Sequence, residues 1–229
     1  MAERVLLTGI TGYIGQHCAF ELLRQGYEVV GTMRSRSKAD ATRAALARAT
    51  SVERLSFAEA DLLCDDGWDD AIQGCGFALH VASPFVMAEP KDENELIAPA
   101  VEGTRRVVAA AQRAGVKRLV LTSSTFALVA GNASGTYGPD AWSDTGAAIG
   151  AYAKSKTLAE RAAWQAAEDG TMEMVVINPG AVFGPSLGAE IDGQSVAMVT
   201  KMIAGKMPMI PDVAMGMIDV RDVARLHVK

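Results

Sequence analysis

Thr8-Gly9-Ile10-Thr11-Gly12-Tyr13-Ile14-Gly15 is the stretch whose reading decides the fold. It follows a short apolar run, Arg4–Thr8, and opens into an amphipathic stretch, Tyr13–Gln25, so a strand turns directly into a helix through three spaced glycines. Each glycine has a physical purpose. The first permits the tight turn, the second lets a phosphate approach the backbone, and the third lets helix and strand pack closely. The first amides of the helix have no intrahelical acceptor, and together with the positive end of its dipole they bind an anion. Gly9, Thr11, Gly12, Tyr13, Ile14 and Gly15 are therefore candidate contacts to a dinucleotide pyrophosphate.

Working outward, short β-rich runs alternate with longer amphipathic ones. Strands are predicted at Arg4–Thr8, Glu28–Met33, Leu55–Glu59, Phe77–Val81, Arg118–Ser124 and Glu173–Asn178, and helices at Tyr13–Gln25, Lys38–Arg48, Glu95–Ala114 and Ala151–Glu168. The strands are continuous apolar runs, as expected where helices cover both faces of a parallel sheet, so the class is α/β and doubly wound. Gly26, Gly115 and Gly170 each stand just past a helical pattern, where a left-handed residue ends a helix.

The end of the second strand reads the cofactor's adenosine ribose: an acid there accepts from a 2′-hydroxyl, a base binds a 2′-phosphate. Here it runs Arg34-Ser35-Arg36-Ser37-Lys38, with no carboxylate between Glu28 and Asp40. Three cations, Arg34, Arg36 and Lys38, cluster here; a solvated charge run is the plainer role, but cations are unfavourable at a helix start unless an anion joins them, so the run points to NADP(H). Asp61, with Leu62 after the third strand, is placed either to meet the adenine or to cap a helix.

Composition narrows the function. The 229 residues carry 22 basic and 27 acidic side chains, a net charge of −5, which gives no electrostatic reason for a nucleic-acid partner. Three cysteines (18, 64, 75) are too few for a disulfide framework, and their odd number suits a reducing cytosol. His17, His80 and His227 lack metal-ligand spacing, so no metal is expected. The apolar run at the N-terminus is too short for a signal peptide or a membrane span, and a soluble cytoplasmic protein is expected.

A second constellation lies in Tyr152-Ala153-Lys154-Ser155-Lys156, where a tyrosine and a lysine four residues apart share one helix face. A neighbouring ammonium is expected to lower the tyrosine pKa from about 10 and fit it for acid–base work. Ser124, at the carboxyl end of the fifth strand, lies where an open α/β sheet binds ligands.

These residues resemble the extended short-chain dehydrogenases/reductases, in particular the dihydroflavonol 4-reductase-like branch. The likeness runs through TGITGYIG at 8–15, the Arg34 position, HVASPF at 80–85, ENELIAPAVEGT at 93–104, LTSST at 121–125, WSD at 142–144, YAKSKTLAE at 152–160, NPGAVFGP at 178–185 and IDVRDVARLHV at 218–228. It implies a Rossmann-type NADPH-dependent carbonyl reductase in which Tyr152 protonates the carbonyl oxygen, Lys156 lowers its pKa and holds the ribose, and Ser124 hydrogen-bonds the carbonyl. By the same resemblance the 4-pro-S hydride of NADPH reaches the carbonyl carbon. Val81, Ala82, Ser83 and Thr122 then pass under the cofactor, and Pro179, Ala181 and Val182 pack on the nicotinamide. Phe85 and Phe126 are candidate substrate walls, with core packing as the plainer role of Phe126. Ser123 is set aside, because alternation turns it to the opposite face from Ser124. Glu102 stands where relatives often carry asparagine, so no proton-relay role is given to it.

Residues 1–178 read as the dinucleotide-binding domain and 179–229 as the start of a substrate lobe. Six of the eleven methionines (198, 202, 207, 209, 215, 217) fall in that lobe, where gap-filling core is their commoner use and a pocket lining the rarer one. The chain ends inside a helical pattern, as a fragment would. Two rival readings stand beside the reductase: an NAD-dependent nucleotide-sugar epimerase or dehydratase, against which the basic run argues, and a non-catalytic NADP-sensing regulator, against which the intact Tyr/Lys pair argues. By the same resemblance helices 95–114 and 151–168 are a candidate homodimer face, as in many relatives, although members of this branch also occur as monomers.

Overall fold

Every strand of the main sheet is parallel to its neighbour, in the order β3-β2-β1-β4-β5-β6, where β1 is Arg4–Thr8, β2 Glu28–Met33, β3 Leu55–Glu59, β4 Phe77–His80, β5 Arg118–Thr122 and β6 Glu173–Ile177. This is the Rossmann-type order, which reverses between β1 and β4 and so opens a crevice at their carboxyl ends. The computed structural model describes residues 2–84, 90–132, 134–168, 170–188, 194–206 and 216–229.

The helices are α1 (Tyr13–Arg24), α2 (Ala39–Ala47, after a 3-10 turn at Arg36–Lys38), α3 (Trp68–Ile72), α4 (Asn94–Arg113), α5 (Phe126–Val129), α6 (Gly150–Ala167), α7 (Gln194–Ile203) and α8 (Val220–Val228). Alternation along β1 explains their placing. Leu6 faces a core made with Val107, Val108 and Ala111 of α4 and Ala163 of α6. Val5 and Leu7 face the opposite core, with Cys18 and Leu22 of α1, Leu46 of α2 and Ala224 of α8. Both sheet faces are therefore buried, which is why the strands read as unbroken apolar runs.

The predicted elements are present, with ends shifted by a residue or so. β4 stops at His80 because the amides of Val81 and Ala82 are drawn off by the Thr8 hydroxyl, at 3.0 and 2.9 Å. β5 stops at Thr122 rather than Ser124. Gly26 and Gly115 take left-handed φ of 88° and 69°, as expected of helix ends. At Gly170 the structure records a different constraint, since an added Cβ would lie 2.6 Å from Gln112 Nε2.

Sequence periodicity missed α3 and α5, which are too short to show a repeat, as well as α7 and the small second sheet. That sheet pairs β7 (Ala181–Phe183) in parallel with β8 (Met217–Asp219), and Val182 packs there against Val220 and Val223 of α8. Met202 and Met217 are 42% and 72% exposed, so these two are not gap-filling core, while Met207, Met209 and Met215 lie outside the described residues.

Candidate active site

The glycine turn is built as the spacing demanded. Gly9 has φ 70°, and a Cβ there would lie 2.9 Å from the backbone of Ala82; a Cβ on Gly15 would lie 2.1 Å from the Gly9 carbonyl oxygen. These two glycines seat α1 and the segment after β4 against the end of β1. At Gly12 an added Cβ would meet only the Gly9 carbonyl, at 3.4 Å, so a cradle stays open above it. Among the described residues no side chain caps α1, and no acid stands in its first turn. The turn thus fits a pyrophosphate, whose charge the helix end would compensate.

Behind the turn lies a buried polar chain that sequence reading missed. The Thr8 hydroxyl accepts from the amides of Val81 and Ala82, so its proton goes to His80 Nδ1, 2.8 Å away. His80 Nε2 then carries the hydrogen and donates to Thr104 Oγ1 at 3.4 Å. Burial, followed by the charge of Lys156, pulls the His80 pKa down to about 3, so it stays neutral and holds Val81, Ala82 and α4 in register.

At the end of β2, Arg34 and Lys38 are exposed and without an ion pair among the described residues. Arg36 is different: it lies 3.6 Å from Glu59 and donates to the Phe57 carbonyl at 3.4 Å. The sequence showed no carboxylate near this run, but parallel pairing sets Glu59 opposite Met33 and supplies one from β3. Asp61 takes the cap-like role, its Oδ1 accepting from Leu63 N at 3.0 Å. Leu62 packs beside Gly103, and its carbonyl accepts from Arg106 at 2.8 Å.

Ser124, Tyr152 and Lys156 converge. The Ser124 hydroxyl hydrogen-bonds the Tyr152 phenol and accepts from Phe126 N at 3.2 Å. Lys156 Nζ lies over the Tyr152 ring, 5.9 Å from its centroid, and the Phe126 ring meets that ring edge-on at 6.1 Å. Phe126 is 48% exposed, which removes the core-packing alternative and leaves it a wall beside the phenol. Phe85 lies outside the described residues.

One electrostatic expectation is corrected. The Tyr152 pKa is raised, because burial outweighs the lowering by the Ser124 hydrogen bond, and Lys156 is not among the causes. Lys156 is itself buried, which pulls its pKa down to about 8 against the opposing pull of Glu160. The protein's own groups therefore hold the phenol protonated at neutral pH, as a proton donor requires.

Two more placements, those of Thr122 and Ser123, differ from expectation. Thr122 turns its hydroxyl to α8, donating to His227 Nε2 at 2.7 Å, because His227 Nδ1–H is already given to the Val223 carbonyl; only the Thr122 backbone is left for a cofactor. Ser123 does not turn away from the site: it lines a cavity of about 10 Å³ together with Lys156, Ser83 and Thr104, its Oγ buried without a partner among the described residues. Glu102 faces solvent and pairs with Arg105 at 2.7 Å, in keeping with its exclusion from the relay. Pro179 accepts from Thr125 N at 3.0 Å, and Ala181 and Val182 follow in β7, where Val182 packs on Tyr13 and Ile14.

Comparison with known proteins places the fold and the family. The model of the NAD dependent epimerase/dehydratase family matches residues 5–229. A cinnamoyl-CoA reductase of Medicago truncatula is 35% identical over 98% of this chain and 71% of its own length. A dihydroflavonol 4-reductase of Hordeum vulgare is also 35% identical, over 86% of this chain but 57% of its own length, so the match spans less than two thirds of that relative. Among solved structures, yeast methylglyoxal/isovaleraldehyde reductase Gre2, complexed with NADPH, superposes with a TM-score of 0.87 at 29% identity, covering 98% of this chain and 73% of Gre2.

Proposed function

Because the chain belongs to the NAD dependent epimerase/dehydratase family, we propose that it is an NADPH-dependent carbonyl reductase of the dihydroflavonol 4-reductase-like branch, converting a ketone or aldehyde to an alcohol. The observation that carries this is the Ser124–Tyr152 hydrogen bond with Lys156 over the phenol ring, at the carboxyl edge of the sheet. The names of the relatives, cinnamoyl-CoA and dihydroflavonol reductases, support a reductase over an epimerase.

When bound, the dinucleotide supplies the hydride; the chain supplies the rest. The glycine turn and the N-terminus of α1 bind the pyrophosphate, with Val81, Ala82, Ser83, Pro179, Ala181 and Val182 around the cofactor. Arg34 and Lys38, both exposed and unpaired among the described residues, receive the 2′-phosphate. Lys156, as an ammonium, holds the ribose. Ser124 and Tyr152 hydrogen-bond the substrate carbonyl oxygen, and Tyr152, protonated at neutral pH, releases its proton to that oxygen as negative charge builds there. Phe126 forms one wall of the substrate site.

Residues 1–178 form the cofactor domain in this reading, and 179–229 begin the substrate lobe. Three free cysteines support a cytosolic protein. A homodimer through α4 and α6 belongs to the same reading and is tested by the mass in solution.

Fluorescence titration with NADPH and with NADH tests the cofactor, followed by NADPH consumption with aromatic and aliphatic ketones and aldehydes. Preference for NADPH with turnover supports the reductase. Preference for NADH, or NAD that co-purifies, moves the sugar epimerase to first place.

A further inference from the structure

Glu160 is a carboxylic acid only 4% exposed, one helical turn beyond Lys156 on α6, and the site as described makes no use of it. Buried carboxylates persist when hydrogen-bonded or paired with a cation. Glu160 Oε2 accepts from Asn178 Nδ2 at 2.8 Å, and the same Nδ2 donates to the Ser124 carbonyl at 3.2 Å. One amide therefore ties this carboxylate to the backbone of the serine that meets Tyr152.

Glu160 and Lys156 also line one cavity, of about 10 Å³, between α6, α4 and the end of β5. Among its described lining residues Lys156 is the only base and Glu160 the only acid, and α4, β5 and the residue after β5 present only uncharged groups there: Ala100, Thr104, Leu121, Thr122 and Ser123. The other titratable groups near Lys156 are neutral at physiological pH: Tyr152 on α6 and His80 at the end of β4. Among the described residues Glu160 is thus the one negative charge facing the buried ammonium from the elements packed around it.

We propose that Glu160, held by Asn178, is a positioning residue that keeps Lys156 cationic and aligned with Tyr152, so that one buried carboxylate serves both Lys156 and Ser124. The inference rests on the reductase reading in that it assigns a use to the Lys156 ammonium. Burial alone drives Lys156 toward the neutral amine, and Glu160 is the group that opposes it.

The test is an NMR titration of the chain labelled with ¹³C-lysine, without cofactor, using Lys156→Met to assign the signal. The wild type is expected to show one lysine titrating near the value of about 8 set by its burial. In E160Q and E160M, two neutral replacements, that midpoint falls by about one pH unit, and in E160D, which keeps the charge, it returns most of the way. The pH above which NADPH affinity is lost falls in step, while affinity at pH 6, where Lys156 is charged in every variant, is retained. An unchanged midpoint in the neutral variants overturns the proposal, as does a drop in E160D as large as in E160Q. Failure of both neutral variants to fold, with E160D folded and titrating as wild type, assigns Glu160 to the fold alone and overturns it too. The titration needs no substrate: a wild type that reduces no carbonyl compound overturns the reductase reading and leaves the Lys156–Glu160 result standing.

Discussion

Lys156 Nζ sits over the face of the Tyr152 ring, 5.9 Å from its centroid, and the phenol nonetheless has a raised pKa, because burial and not the ammonium governs it. The pair is thus set up as a protonated phenol beside a weakened base. Tyr152→Phe keeps the ring, its edge contact with Phe126 and the ammonium above it, and removes the hydroxyl with its proton and its hydrogen bond to Ser124. Turnover is expected to fall by about 10²- to 10⁴-fold, as for loss of a general acid, with NADPH affinity nearly unchanged. Steady-state kinetics and a binding titration on the same preparation check this, and retained turnover removes Tyr152 from the reaction.

The pH dependence follows from Lys156, whose pKa of about 8 lies below that of an exposed lysine. The ammonium is present below that pH and lost above it, so NADPH affinity and kcat/KM are expected to decline as pH rises through about 8. The Tyr152 phenol, raised in pKa, stays protonated through the same range and adds no earlier loss. Affinity that holds level to pH 10 contradicts this.

Arg34 and Arg36 are two residues apart and have different surroundings. Arg34→Ala is expected to weaken NADPH by about 10- to 100-fold, the worth of charge-assisted hydrogen bonds, and NADH much less. Arg36→Ala should leave the NADPH/NADH ratio alone, since its guanidinium is engaged by Glu59 and Phe57, and should cost at most about 1 kcal/mol of stability as an exposed pair. An equal loss of NADPH and NADH in Arg34→Ala means that the 2′-phosphate is held elsewhere.

Gly15→Ala puts a Cβ 2.1 Å from the Gly9 carbonyl oxygen, a backbone atom that cannot give way without moving the turn. A loss of about 1–3 kcal/mol in urea unfolding is expected, together with loss of dinucleotide binding. Unaltered binding of both dinucleotides would show that the turn is not their seat.

Thr8→Val keeps the shape of the side chain and strips the acceptor from Val81 N and Ala82 N and the donor from His80 Nδ1. Each buried group so stranded costs about 1–3 kcal/mol, so a clear drop in urea midpoint is expected, and a stability equal to wild type would dissolve the assigned network.

The sheet was legible because its strands are buried on both faces: Val5, Leu6 and Leu7 all face apolar cores, and a continuous run such as Arg118–Thr122 announces that. Three-residue strands such as Ala181–Phe183, and a helix as short as Phe126–Val129, carry no period and stayed hidden. The glycine turn and the Tyr152–Lys156 pair were legible for a related reason. Their geometry is local, set by one strand-to-helix turn and one helical turn, and local geometry is written in spacing.

What the sequence by itself determined was therefore what is written locally, in spacing or in continuous burial: the long strands and helices of the parallel sheet, the glycine turn, the tyrosine and lysine on one face. Only the tertiary structure decided the features whose partners come from distant segments. Glu59 meets Arg36 across a strand pair, His227 takes the Thr122 hydroxyl, Asn178 binds Glu160 to Ser124, and burial among these segments, not the neighbouring ammonium, sets the Tyr152 pKa. The reason is that charge and hydrogen bonding act through space and through the dielectric around them, which no spacing along the chain records until the sheet has closed over the site.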